Sequence, residues 1–172
     1  MDIRVKRTAA VVTVGGVVVA GGLLAAGGIA GAMPSDKLCG ASDVRVTMTA
    51  DPEHAAGHEA YVLTYTAASP TTNCKLQGAP TAMGFVADGQ LIKDVTAVPE
   101  ATAANAAPVN LRDGHPAVSR IVQRSAEAPN PVTPTTVTFD LPTGPGGVPV
   151  VVDWPAGAPL KGGTVQVTAV SG

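Results

Sequence analysis

Residues 43–67, DVRVTMTADPEHAAGHEAYVLTYTA, carry the pattern that decides the fold. From Asp43 to Ala50 the chain alternates Val44, Val46 and Met48 with Arg45, Thr47 and Thr49. That period of two is what a strand with one buried face requires. Residues 60–67, AYVLTYTA, are β-branched and aromatic and predict a second strand antiparallel to the first. Between them DPEHAAGHE is polar and holds Pro52 and Gly57, which predicts a loop.

The same rhythm continues outward. A turn over 68–73 leads into Cys74-Lys75-Leu76, and residues 83–87 are apolar enough to be buried on both faces. Asp88-Gly89 followed by Gln90 predicts a hairpin turn into a strand over 91–95. Residues 99–108, PEATAANAAP, are low in complexity and predict a surface excursion. Strands over 109–111 and 117–124 flank the turn Arg112-Asp113-Gly114-His115-Pro116. The Pro-rich stretch 129–134 predicts another loop, followed by strands over 135–141, 148–153 and 164–170. No sustained helical period follows the first 32 residues, so the pattern predicts an all-β fold, an antiparallel sandwich or barrel. Composition agrees: 45% of residues are hydrophobic but only 3% aromatic, beside 20 Gly and 15 Pro, so the apolar content is mostly Ala and Val. Trp154, the one Trp, has the size to plug an end of the core.

The first residues are of a different kind. Arg4, Lys6 and Arg7 precede a run over 8–32 that contains no charged residue, a basic segment followed by an apolar one. The run ends in Ala30-Gly31-Ala32, small side chains where a signal peptidase needs them, so cleavage is expected between Ala32 and Met33. The alternative is an uncleaved anchor helix, because 25 residues would span about 37 Å against a hydrocarbon core of about 30 Å. The Gly pairs at 15–16, 21–22 and 27–28 weigh against it. The chain is therefore divided into a signal or anchor segment, 1–32, and a β-domain, 33–172. Ser35-Asp36-Lys37-Leu38 before Cys39 is no lipobox, and Arg4 and Arg7 are too far apart for a twin-arginine signal.

Cys39 and Cys74 are the only cysteines, and an even number in an oxidising compartment predicts one disulfide. Closing that loop is worth about 3 to 4 kcal/mol in the chain-entropy account.

Little chemistry is legible. Setting aside Arg4, Lys6, Arg7 and Asp2 from 11 basic and 13 acidic residues leaves 8 and 12, a weakly acidic domain without basic clusters. Such a surface argues against nucleic acid or anionic lipid as partner. His54 and His58, near Asp51, Glu53 and Glu59, form the best metal-ligating pattern in the chain, and they need a third ligand from elsewhere. Ser42, Ser69, Ser119, Ser125 and Ser171 have no nucleophile-elbow context, and His115 lies in a turn before Pro116. Gly144-Pro145-Gly146-Gly147 lacks the Lys-Ser/Thr of a phosphate loop and predicts a turn.

Several segments together resemble a family of secreted actinobacterial proteins of unknown function. They are Ala56-Gly57-His58, the strand from Tyr61 to Thr66, the turn ending at Ser69, and Asn73-Cys74-Lys75-Leu76-Gln77-Gly78-Ala79-Pro80 with its C-x-L-x-G-x-P element. Residues 110–117, NLRDGHPA, are similar to a later Leu-x-Pro-Gly-x-x-Ala turn of that family, with Asp113 replacing Pro. The resemblance runs from Cys39 to about Arg124 and lacks the second cysteine pair that many members carry. It implies an exported immunoglobulin-like β-sandwich and offers no catalytic residues to carry over.

The expectation is thus a secreted protein, or one on the extracellular face of the membrane, that is non-enzymatic and needs no cofactor. Its partner is an unknown protein or cell-envelope component, and it meets the membrane only through residues 1–32 if these are retained. The alternative is a metal-handling or hydrolytic protein using His54, His58 and His115.

Overall fold

The computed structural model describes residues 35–126 and 130–172, the side chains of Glu53 and His54 excepted. Ala30, Ala32 and Met33, the expected cleavage site, and the rest of the leader lie outside the described residues. Among the described residues no helix is long and apolar enough to cross a membrane.

The strands are β1 (Val44–Ala55), β2 (His58–Ala67), β3 (Asn73–Leu76), β4 (Thr81–Ala87), β5 (Gln90–Leu91), β6 (Val95–Pro99), β7 (Val109–Arg112), β8 (Ala117–Arg124), β9 (Thr136–Asp140), β10 (Pro149–Asp153) and β11 (Gly163–Val167). Short 3-10 turns occupy Ala41–Asp43 and Ala103–Asn105. One sheet runs β1-β2-β8-β11-β6, a second β10-β9-β4-β5, and β3 pairs with β7. Among the described residues every pairing between two of these strands is antiparallel except β6 with β11. The all-β, predominantly antiparallel expectation is met.

Alternation explains the core. On β2, Tyr61, Leu63 and Tyr65 point inward, and on β8 Ala117, Ser119, Ile121 and Gln123 do the same. From the second sheet Phe85, Val137, Phe139 and Val152 join the same cluster, so residues of both sheets share one hydrophobic core. Trp154, buried, sits where the two contributions meet. Its ring lies 4.3 Å from that of Tyr61 and 5.6 Å, edge-on, from that of Phe85. Its indole N–H donates to the Ala158 carbonyl at 2.8 Å, so the polar tip is satisfied while the rings stay dry.

Four local expectations change. The stretch read as a loop after Ala50 is the far end of a hairpin: β1 continues to Ala55, and the turn is closed by Ala56 and Gly57 at φ +73°. The register shifts between Asp51 and Ala55, and Pro52, which has no N–H to give, lies within that bulge. Residues 83–87 are not buried on both faces, since of them only Phe85 is fully inside. On the outer side Leu91 covers Gly84, where a Cβ would stand 2.9 Å from the Leu91 Cδ1. The strand expected over 91–95 is split between sheets, with β5 ending at Leu91 and β6 starting at Val95 beside β11. Within the excursion over 99–108, the 3-10 turn buries Ala103 beneath Ala79 and Val167.

Candidate functional site

The disulfide forms. Cys39 and Cys74 are bonded, both buried, with Cα atoms 5.0 Å apart. Backbone bonds place them before the bridge is counted: Cys39 N–H donates to the Lys75 carbonyl at 3.1 Å, and Lys75 N–H to that of Lys37 at 2.8 Å. Residues 37–39 thus lie as a parallel rung on β3, the strand that holds Cys74. Nearby, the Asp43 carboxylate accepts the Gly40 N–H at 2.9 Å and the Lys37 ammonium at 2.9 Å. The backbone hydrogen bond first, and Lys37 second, hold its pKa below the usual carboxylate range.

The histidines are distributed along the sheet. His54 lies in the bulge of β1, its side chain outside the described atoms. His58 opens β2 opposite Arg124, exposed, with Nδ1 donating to the Ala56 carbonyl at 3.2 Å. His115 is exposed in the turn before β8, its N–H on the Arg112 carbonyl at 3.0 Å. His58 and His115 therefore flank opposite ends of β8, roughly 25 Å apart at the rise of an antiparallel strand. One site cannot hold both imidazoles. Among the described residues no three of His, Cys, Asp and Glu stand close enough to share a metal.

The densest polar cluster lies at the His58 end. Lys161 donates to Glu59 Oε1 at 2.7 Å and to the Ser125 carbonyl at 2.6 Å. Gln123 Nε2 reaches Glu59 Oε2 at 3.2 Å, Tyr61 Oη at 3.1 Å and the Pro159 carbonyl at 2.9 Å, while its Oε1 accepts the Lys161 N–H at 3.0 Å. The Tyr61 hydroxyl donates to the Pro159 carbonyl at 2.6 Å. Each of these side chains is engaged by the others or by backbone, which fastens the segment after Trp154 across the ends of β2 and β8. The arrangement positions a loop. Sequence reasoning missed Gln123 and Lys161, because they meet Glu59 only across 64 and 102 residues of chain.

The C-x-L-x-G-x-P element lines a groove of about 440 Å³. Gln77, Gly78 and Ala79 face Ala103, Leu141 and Thr143 across it, and none of its lining residues is charged. The element is tied down at three points. Gln77 N–H donates to Pro142 O at 2.6 Å, Gln77 Nε2 to Ala106 O at 3.2 Å, and Val170 N–H to Gly78 O at 2.8 Å. Gly78 holds φ +83°, a conformation that side chains disfavour, which accounts for glycine at this point of the element.

Residues 39–171 match the family described as Domain of unknown function (DUF4232). The chain belongs to that family. The match opens on Cys39, takes in Cys74 and the groove-lining element, and extends to residue 171, well past Arg124 where the similarity of individual motifs thins. No curated protein and no solved structure matches the chain.

The DUF4232 domain holds both tyrosines of the chain, and both resist ionisation. Burial, and then the Glu59 charge, push the Tyr61 phenol up to about 12. Burial also raises that of Tyr65, whose hydroxyl is 2.9 Å from Ser119 Oγ in the core. An unfolded phenol ionises near 10.0, so above that pH the unfolded chain binds fewer protons than the native one. Stability is fully present below pH 10 and falls as pH rises toward 12. Denaturation curves across this range are expected to show that decline, and Tyr61→Phe is expected to make it shallower. A decline of equal slope in Tyr61→Phe would show that Tyr61 is not its source.

Proposed function

We propose that this DUF4232 domain is an exported, non-enzymatic immunoglobulin-like β-sandwich that serves as an interaction module of the cell envelope. The observation that carries the reading is the buried Cys39–Cys74 disulfide, a bond that persists in oxidising compartments, seven residues after the apolar run that ends at Ala32. Two facing sheets that share one core support the sandwich, with the parallel β6–β11 pair as a feature of its edge. The polar cluster at Lys161 is bonded internally, which fits a scaffold better than an active site. The partner is a protein or wall component, met by a sheet face or by the segments 99–108 and 129–134.

The test uses the full chain with a C-terminal tag, expressed in an exporting host and fractionated. The tag is expected in the medium or envelope, and there it is expected to retain envelope components on pull-down. Recovery from the cytoplasm alone, or no retention of any wall or envelope component, would overturn the reading. Simultaneous replacement of His54, His58 and His115 by Ala is expected to leave retention within about twofold of the parent, since the histidines are not placed as one site. A loss beyond tenfold would favour the metal-handling alternative.

A further inference from the structure

Among the described residues the two larger sheets present four edge strands, β1 and β6 in one, β10 and β5 in the other. Free edges invite pairing with another chain, and most of these are blunted. β1 carries Arg45 and the Pro52 bulge, β5 has two residues, and β6 lies between Lys93-Asp94 and its own Pro99. β10 is Pro149-Val150-Val151-Val152-Asp153, with three valines in succession and no bulge against β9. Val151 is 68% exposed, the most exposed large hydrophobic residue among those described.

The hydrogen-bond parity of β10 can be read from its ends. Leu141 N–H donates to Val148 O and Trp154 N–H to Thr135 O, both at 2.9 Å, so the even-numbered residues spend their backbone groups on β9. The odd ones, Pro149, Val151 and Asp153, turn theirs to the edge that takes no strand among the described residues. Pro149 agrees with this parity, since a proline has no N–H to lose there. β1 lies beside β10 but takes its ladder from β2 alone.

We propose that β10 is a self-association edge, pairing antiparallel with β10 of a second copy about a twofold axis at Val151. The strand is self-complementary at that register. Val151 faces Val151 of the second copy and exchanges two N–H to C=O bonds with it, and each Asp153 N–H reaches the Pro149 carbonyl opposite. Pro149 ends the ladder on both sides, so the added pairing stops at four bonds. Each Asp153 carboxylate stands opposite a proline, so no like charges are opposed, as an isologous contact requires. A contact this small gives a weak dimer, with a dissociation constant on the order of 0.1 mM. The inference rests on the edge geometry and stands apart from the proposed envelope role.

Sedimentation of the purified protein, from about 10 μM to about 1 mM, tests it. The weight-average mass is expected to rise toward twice the monomer value, and Val151→Lys is expected to remain monomeric throughout. Val151 is exposed, so the variant keeps its bonds to β9, which an unchanged thermal transition checks. Val151→Cys is expected to give a disulfide-linked dimer under oxidation, because directly paired strands bring Cα atoms to about 5.5 Å. Val98→Cys on β6, also exposed, is expected to give none. A parent protein that stays monomeric at the highest concentration, a Val151→Lys variant that associates like the parent, or equal cross-linking at Val98 would overturn the proposal.

Discussion

Replacing Cys39 and Cys74 together by alanine is expected to destabilise the domain by about 3 to 4 kcal/mol, read as a fall of about 2 M in the urea midpoint. The bridge closes a loop of 35 residues, which the unfolded chain keeps closed only while the bond exists. It also has a local role. Cys39 enters the core just before the 3-10 turn Ala41–Asp43, and Cys74 sits in β3, the partner of β7. Without the bond, residues 35–40 are held to the rest by backbone bonds to β3, by Ser35 N–H on Asn110, and by Asp43 with Lys37 and Gly40. The double variant should therefore expose this segment to protease first. An unchanged midpoint, in the variant or in the parent after reduction, would show that the backbone contacts suffice without the bridge.

The second large effect is expected at Trp154. Trp154→Ala removes the ring against Tyr61 and Phe85 and leaves the Ala158 carbonyl without its indole donor, at a cost of about 3 to 5 kcal/mol. Trp154→Phe keeps most of the apolar contact and loses the hydrogen bond, so it is expected to cost about 1 to 2 kcal/mol. The difference between the two variants separates packing from the polar tip. Equal losses in both would assign the effect to the hydrogen bond. Urea unfolding followed by circular dichroism makes the comparison, because neither variant retains the Trp fluorescence.

These effects also show what a one-dimensional reading can reach. The alternation of Val44, Val46 and Met48, and the β-branched run after Ala60, fix the first hairpin because side-chain direction in a strand follows parity alone. Two cysteines admit one pairing, so the bridge was legible too. Pro52 and Gly57 misled because both occur in loops, and only the ladder shows Pro52 inside a bulge that needs no N–H from it. The split between Leu91 and Val95 was hidden for another reason: parity says which face a residue takes and nothing about which sheet it joins. The polar cluster was out of reach altogether. Glu59 looked like a companion of His58, yet its partners Gln123 and Lys161 arrive from β8 and from the segment before β11. Likewise Ser119 and Gln123 face inward on β8, where parity expects apolar residues, and a tyrosine hydroxyl on β2 meets each of them.

We propose an exported β-domain, and Cys39–Cys74 staples its N-terminal end. The most direct measurement is the intact mass, before and after reduction, of the chain recovered from outside the cytoplasm. The expected result is a chain beginning at Met33 that gains about 2 Da on reduction, the two hydrogens of one opened disulfide. A chain found only in the cytoplasm, with both thiols free and the first 32 residues still attached, would contradict it.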